Sequence, residues 1–522
     1  MSTVSRVRGA VAARFSVDRR ALAAFRVALA TAVFVDLALR LQDVRAFYTD
    51  AGVLPRTLLL ETFPALGRLS MHTLSGGLWW QLVLFATTAV AALALAAGYR
   101  TRLATAVTFG LVLSMQLRNP VLLNAGDSLL RRLLLWSVLL PLGTRWSVDA
   151  RRRDSTVDRA DVASIAAVGL LVQTLAVYVV NAALKARGSA WHDGTAGQLA
   201  FGMDAITVML GEVVAEFPAL LTAGTYAWTV VLLGAPLLVL ATGRARVAVV
   251  AAFATGHVAM ALTLRLGAFP LVSLAALLPF LPSVVWDRVE RVVDDRIAPR
   301  ADAVADRIRL LGVDAVADGV GSSGGERSST VLPAALGDVG AGSARALAAA
   351  LLAFVLVWNA AALGLVALPG SVTDTVDPEE RRWDMFAPEP RAVGGWYATV
   401  GTTTRGERVD VAPGADGTAM PPDVDSTYPS HRWYVYLTSL RDAPAPALRE
   451  RFAHYLCERW TREHASALES VNVTFVARSV VLDAPDRIDV RPFGVTECAS
   501  GGPANSSAGV ERTRYLPALE QD

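Results

Sequence analysis

Long apolar runs separated by short polar connections occupy most of the chain up to residue 368. The runs predict helices at 21–39, 78–98, 103–117, 129–142, 162–184, 223–242, 247–264, 269–285 and 346–368. A helix of roughly 18–24 apolar residues is long enough to cross a bilayer. The pattern therefore predicts an all-α, multi-pass membrane bundle of about nine transmembrane helices.

Arginines are concentrated in the N-terminal twenty residues and in alternate connections between the predicted spans. These connections lie at 99–102, 151–153, 243–247 and 287–309. Because basic residues favour the cytoplasmic side, this distribution predicts a cytoplasmic N-terminus in the cell membrane. Nine spans would then place the C-terminus outside.

The chain changes character after the eighth predicted span. The membrane domain at 1–286 is followed by 287–344, which is charged and then Gly/Ser-rich, as is typical of a cytoplasmic linker. The last transmembrane helix is expected at 345–368. The remainder, 369–522, predicts a small extracytoplasmic α+β domain with one amphipathic helix at 445–468. Its β-prone runs are 396–401, 408–412, 432–440, 471–482 and 487–495.

Both cysteines of the protein, Cys457 and Cys498, lie in this last domain. On an oxidising side of the membrane they could form one disulfide. Spacing alone does not establish the bond, so two unpaired thiols stay open as the alternative.

Composition supports a membrane protein and excludes several other classes. The chain is 53% hydrophobic and 18% charged with a formal net charge of +2, and its mean hydropathy is +0.41. No basic patch with interleaved aromatic residues points to nucleic acid. The motifs of common soluble enzymes do not occur, and the six histidines show no metal-ligand spacing, so no metal is inferred.

Lys185 is the only lysine in the chain and lies at the end of a predicted span. Tyr178 and Asn181 precede it at helical spacings and share its face. A desolvated ammonium can lose its proton near neutral pH whereas a guanidinium cannot, which makes Lys185 a candidate base. The alternative is that the Lys185 side chain extends to the membrane interface and that Trp191 is an interfacial anchor, which is common behaviour for both residue types.

Other polar residues at membrane depth have structural interpretations beside functional ones. His257 on the seventh span is a candidate catalytic residue or a partner in an interhelical hydrogen bond. Asp36 and Arg40, like Asp127 and Arg131, are spaced for ion pairs along one helix face, which favours a structural role.

Several motifs in order resemble the HTTM (horizontally transferred transmembrane) domain, the membrane module shared with vitamin K-dependent γ-glutamyl carboxylase. They are Arg40-Leu-x-Asp43, Phe47-Tyr48-x-Asp50-x-Gly52-Val53-x-Pro55, Leu117-Arg-Asn119, Arg145-Trp-Ser-Val-Asp149, Lys185 followed by Trp191, and Gly256-His257 through Gly267-x-Phe269. The segments Trp383–Pro388, Gly395–Tyr397, Tyr428–Trp433 and Tyr455–Trp460 are similar to the outer domain that follows this module in many prokaryotic members.

The resemblance implies a mechanism that involves a quinol of the menaquinone or vitamin K type. In the carboxylase a membrane lysine deprotonates reduced vitamin K, oxygenation makes a strong base that removes a glutamate γ-proton, and CO2 adds. Lys185 lies in the matching stretch, where the carboxylase has adjacent lysines. The turn Asn124-Ala-Gly-Asp127 lacks the histidine proposed to assist that lysine.

Two hypotheses from different classes follow. The first is a quinol-dependent membrane enzyme in which Lys185 and His257 are catalytic and Tyr178, Asn181 and Trp191 bind the cofactor. The second is a non-catalytic membrane protein whose bundle presents the outer domain to a protein or peptide partner.

Overall fold

A computed structural model describes residues 9, 14–152, 161–292, 334–373, 376–379, 382–412, 428–442, 446–482 and 484–498. Most of the predicted linker at 287–344 lies outside these residues, and so does most of the arginine-rich N-terminal segment.

The first part of the chain is helical. Its α-helices are α1 (Arg19–Leu41), α2 (Val44–Tyr48), α3 (Arg56–Thr62), α4 (Pro64–Arg68), α5 (Leu78–Ala97), α6 (Thr101–Arg118), α7 (Ala125–Val138), α8 (Val148–Arg151), α9 (Ile165–Lys185), α10 (Ser189–His192), α11 (Ala196–Phe201), α12 (Leu210–Ala215), α13 (Pro218–Leu233), α14 (Leu237–Leu240), α15 (Gly243–Thr263), α16 (Phe269–Leu277) and α17 (Ser283–Val292). After the gap, α18 (Ala334–Ala362) packs against α9. Short 3-10 helices cover Met71–Thr73, Pro120–Leu122 and Leu278–Phe280.

Five of the described helices are long and apolar enough to cross a membrane: α1, α5, α9, α15 and α18. The pair formed by Phe269–Phe280 and α17 would be a sixth span, although it bends by 104°. Helices α7 and α13 overlap predicted spans but have 14 and 16 residues. The prediction of a multi-pass helical membrane protein is confirmed, and the number nine stays a prediction.

Arginine side chains and backbone carbonyls bring the N-terminus and several connections together at one end of the bundle. Arg246 donates a hydrogen bond to the carbonyl of Arg14 at 3.1 Å. Glu290 accepts from Arg20 at 2.9 Å and from Arg145 at 2.7 Å. Segments far apart in sequence therefore meet at this end of the bundle.

The C-terminal part contains a four-stranded antiparallel sheet in the order β2-β1-β3-β4. Its elements are β1 (Val393–Thr403), β2 (Arg408–Asp410), β3 (Leu468–Ser479) and β4 (Arg487–Glu497), with helices α19 (Gly370–Thr373), α20 (His431–Asp442) and α21 (Pro446–Glu463). Alternate residues of β1 are buried, as expected for a sheet with one face on the core. Tyr397 on that face donates to the carbonyl of Leu437 in α20 at 3.0 Å.

One predicted strand is wrong, because the β-prone run 432–440 belongs to helix α20. Trp433, Tyr436, Leu437 and Leu440 are buried at spacings of three and four residues, which is a helical period. Packing of this aromatic face against the rest of the molecule outweighs the β propensity of the residues.

The predicted disulfide joins Cys457 on α21 to Cys498, which follows β4. The Cα atoms lie 5.6 Å apart, within the usual range for a disulfide. The bond ties the edge strand of the sheet to the helix behind it.

Candidate functional site

A cavity of about 360 Å3 lies between the helical module, which comprises α1 to α17, and the C-terminal part of the chain, which comprises the described residues from 382 onward. The module contributes Tyr178, Asn181 and Lys185 from α9, and His257 from α15. The C-terminal part contributes Phe386 from the segment before β1 and His431 from the start of α20. The cavity is therefore a composite site that neither part forms alone.

Lys185 reaches this cavity at the last residue of α9, with its side chain 3% exposed. Its Nζ lies 3.3 Å from the centre of the Trp191 ring and donates to the carbonyl of Phe386 at 3.3 Å. Within the described part of the chain no carboxylate lies at ion-pair distance from it. The two neighbours, a ring face and a carbonyl, are uncharged and orient the amine without neutralising it.

The segment 383–389, here called the roof loop, covers the polar face of α9. The amide of Asn181 donates to the carbonyls of Trp383 and Met385, both at 3.0 Å. The indole of Trp191 donates to the carbonyl of Phe386 at 3.0 Å. The backbone carbonyls of the roof loop thus accept hydrogen bonds from Asn181 and Lys185, which share one face of α9, and from Trp191 on α10.

Glu389 and Gly188 join the far end of the roof loop to the module. The Glu389 carboxylate accepts from the backbone of Ala190 at 3.2 Å and from the Ser189 hydroxyl at 3.1 Å. A Cβ atom at position 188 would lie 1.9 Å from the carbonyl oxygen of Pro388. Only glycine permits this approach of the two backbones.

Tyr178 and His257 form a hydrogen-bonded pair in the wall of the cavity. The Tyr178 hydroxyl and His257 Nε2 lie 3.0 Å apart. The imidazole is packed among the rings of Trp228 and Phe269, with ring centres 5.7 Å away in both cases. The interhelical hydrogen bond expected of His257 is present, and the same side chain lines the cavity.

His431 enters the cavity from the C-terminal part and contacts the turn that begins α7. The side-chain oxygen of Asn124 caps that helix by accepting from the backbone of Asp127, so its amide nitrogen faces His431 Nε2 at 2.9 Å. Nε2 is then the acceptor, and the imidazole proton lies on Nδ1. Burial and the adjacent Arg432 lower the pKa of His431 to about 4, which keeps the ring neutral at pH 7.

A second titratable group of the C-terminal part is Asp384, on the roof loop. Its carboxyl lines the same cavity, and burial raises its pKa above the ordinary value.

A buried charge cluster beside His431 holds the two parts together. Arg432 from α20 binds Asp36 at 2.5 Å and Asp127 at 2.7 Å. Arg40 binds the same two carboxylates, including the predicted pair with Asp36 at 2.8 Å. Two arginines and two aspartates, each at most 3% exposed, thus balance one another. Asp127 was predicted to pair with Arg131. In the structure Asp127 binds Arg40 and Arg432, and the Arg131 guanidinium donates to the side chain of Gln116 at 2.5 Å.

The structure brings together four of the predicted site residues, Lys185, His257, Tyr178 and Asn181, around one cavity. Trp191, the fifth predicted site residue, contacts Lys185 through its ring and donates to the roof loop. Sequence reasoning missed His431 and the roof loop as parts of the site. The signal was present in the motifs around Trp383–Pro388 and Tyr428–Trp433, but nothing in the sequence placed them against α9 and α7.

The profile of the HTTM domain matches residues 15–286, slightly more than half of the chain. The chain belongs to the HTTM-domain family, as its motifs predicted, and is a multi-pass membrane protein with a C-terminal sheet. Comparison with curated proteins and with solved structures gave no match.

Proposed function

We propose that this protein is a membrane enzyme that acts on a quinol of the menaquinone or vitamin K type, with Lys185 as the base. The observation that supports this most is the position of Lys185: the only lysine of the chain is buried, lines the cavity and has uncharged neighbours. An amine in that setting can accept a proton from an acidic hydroxyl of a ligand.

The cavity fits a flat aromatic ligand in size and lining. Its volume of about 360 Å3 lies within the range of small-molecule sites. Rings line it on both sides, among them Tyr178, Trp228 and Phe269 from the module and Phe386 and Tyr434 from the C-terminal part. When bound, a quinol supplies the reducing electrons.

The residues of the chain divide the remaining tasks. Lys185 Nζ receives the proton of a ligand hydroxyl, while Trp191 and the roof loop fix the amine in place. The Tyr178–His257 pair offers a hydroxyl and an imidazole to a second oxygen of the ligand. Asn181 binds the roof loop through two hydrogen bonds, and the loop in this position excludes water from the lysine. The proposal covers the quinol and names no second substrate. It does not include the carboxylation of glutamate.

The first experiment compares wild-type protein with Lys185→Arg in nanodiscs, with menaquinol added and with the co-purified quinone measured by mass spectrometry. Arginine keeps the charge but does not give up its proton, so we expect quinone to be retained and oxygen-dependent oxidation to fall by about 100-fold or more. Arg187→Gln, a neighbouring cation, serves as the control and should keep wild-type activity. Oxidation that continues unchanged in Lys185→Arg would remove Lys185 as the base.

A second candidate is a non-catalytic protein whose C-terminal domain binds a protein or peptide partner. The observation that favours it is the edge strand β4, on which Ile488, Val490 and Val495 are 56%, 59% and 67% exposed. An edge strand with apolar side chains can pair with an extended segment of another chain. No bound quinone and identical behaviour of wild type and Lys185→Arg would favour this candidate.

We further propose the nine-span topology, with the N-terminus cytoplasmic and the cavity at the extracytoplasmic side. The contacts of Arg246 with Arg14 and of Arg20 with Glu290 support it, because they gather the arginine-bearing connections at one end of the bundle. Labelling of single cysteines placed at Arg405 and Arg244 from either side of the membrane tests it. Labelling of both from the same side would contradict it.

A further inference from the structure

A second cleft, of about 390 Å3, lies outside the composite cavity, between α21 and the C-terminal end of the first span. Its walls come from the turn after α1 and from α2 on one side, and from the start of α20 and from α21 on the other. Helix α1 is a candidate span that ends at Leu41, so residues just beyond it lie at the boundary between lipid and water. Trp433 and Tyr455 line the cleft, and such side chains favour that boundary.

Three arginines from the two parts line this cleft: Arg45 from α2, and Arg459 and Arg462 from α21. Arg45 is exposed, and the described residues place no carboxylate at ion-pair distance from it. Arg459 is paired with Glu463 at 3.2 Å.

The nearest carboxylate to Arg462 is already engaged. Glu458 lies 4.0 Å from Arg462 but is held by both terminal nitrogens of Arg451, at 2.7 and 2.9 Å. The single negative charge of Glu458 is therefore shared by two guanidinium groups, and Arg451 is the closer of the two.

Asp43, the other acid of the cleft, forms no ion pair with these arginines within the described part of the chain. Its two oxygens accept from the Ser430 hydroxyl at 2.5 Å and from the Trp433 indole at 3.0 Å. The cleft is thus lined by three arginines and two acids, which leaves a net positive charge. Arg45 and Arg462, one from each part of the protein, are the two arginines without a carboxylate to themselves among the described residues.

We propose that this cleft binds the phosphate group of an anionic phospholipid, with Arg45 and Arg462 as its ligands. Guanidinium groups match phosphate oxygens in geometry, and two of them on opposite walls suit a single phosphodiester. Leu41, the last residue of α1 and the neighbour of Gln42 in the cleft wall, is 48% exposed and offers a contact for an acyl chain. The lipid would bridge the module and the C-terminal part, and so would attach the composite site to the membrane surface.

The test uses the full-length protein in nanodiscs of phosphatidylcholine with or without phosphatidylglycerol. The lipid retained after transfer to detergent is measured by mass spectrometry for wild type, for Arg45→Gln/Arg462→Gln, and for the charge-matched control Arg68→Gln/Arg405→Gln. We expect retained phosphatidylglycerol to fall by about tenfold in the cleft variant and to be unchanged in the control. Since Arg45 is exposed, Arg45→Gln alone replaces the double variant if the latter does not fold.

Equal retention of phosphatidylglycerol by the cleft variant and the control would overturn the proposal. A parallel arm measures the binding of radiolabelled inorganic phosphate to the delipidated protein. Binding of phosphate that depends on Arg45 and Arg462, with no preference for phosphatidylglycerol over phosphatidylcholine, would show that the ligand is free phosphate and would equally overturn it.

Discussion

Lys185 shows how the character of a residue depends on its nearest neighbours. The amine of Lys185 contacts the Trp191 ring and the Phe386 carbonyl, whereas a lysine in an ordinary ion pair contacts a carboxylate. A permanent ion pair would hold the ammonium charged, whereas uncharged partners leave the proton free to be exchanged with a ligand. His257, bonded to Tyr178 and surrounded by rings, is likewise free of charged partners among the described residues.

His431 predicts a dependence of stability on pH. Its pKa is about 4 in the folded protein against an ordinary value of 6.5, so between these values the unfolded chain binds the extra proton. The contribution of His431 to the free energy of unfolding should be fully present above pH 6.5. It should decline as the pH falls towards 4, by at most about 1.4 kcal/mol for each pH unit. The charged groups around the ring are Arg432, Arg265 and Asp127.

The measurement is the midpoint of thermal unfolding between pH 4 and 8. His431→Asn is the control, since asparagine can pair with Asn124 but does not titrate in this range. Carboxylates contribute equally to both proteins, so parallel curves for the two would rule out His431 as the source.

At the scale of elements, the roof loop depends on a close approach to the turn after α9. Gly188→Ala would place a Cβ 1.9 Å from the Pro388 carbonyl, and the backbone of the loop would have to move. We expect a loss of about 1–3 kcal/mol in unfolding free energy and faster hydrogen exchange at 383–389. Gly224→Ala on α13, where a Cβ would meet nothing within 4 Å, should be neutral or slightly stabilising. Similar effects of the two changes would mean that the loop is not held by this contact.

The charge cluster makes a prediction about how α20 docks onto α1 and α7. Arg432→Met removes one of two cations from two buried carboxylates and should cost about 3–5 kcal/mol. Adding Asp36→Leu leaves the pair of Arg40 and Asp127, and should restore part of the loss. Arg408→Met, at an exposed position on β2, is the control. Protease sensitivity of the C-terminal part reports docking, and no recovery in the double variant would argue against charge balance as the cause.

At the scale of the whole molecule, the C-terminal part forms one side of the cavity and contains a disulfide bond. The disulfide spans 41 residues and holds β4 to α21. Cys457→Ser/Cys498→Ser should lower the stability of this part by about 3–4 kcal/mol and leave the helical module unchanged. Unfolding with and without reductant, followed by separate probes for the two parts, checks this. A wild-type protein that is insensitive to reductant would contradict it.

The sequence by itself determined the membrane class, the family and the face shared by Tyr178, Asn181 and Lys185. These features are local: apolar length, helical spacing and motif order are written in neighbouring residues. The pair of Asp36 and Arg40 was predictable for the same reason, because its members are one helical turn apart.

Tertiary structure alone decided that 432–440 is a helix, that Arg432 balances two aspartates, and that the roof loop and His431 complete the cavity. These contacts join residues between 200 and 400 positions apart, such as Asn181 with Met385 (204 positions) and Arg432 with Asp36 (396 positions). No local pattern encodes such partners, because the free energy that selects them comes from burying and pairing groups that meet only when both parts are folded.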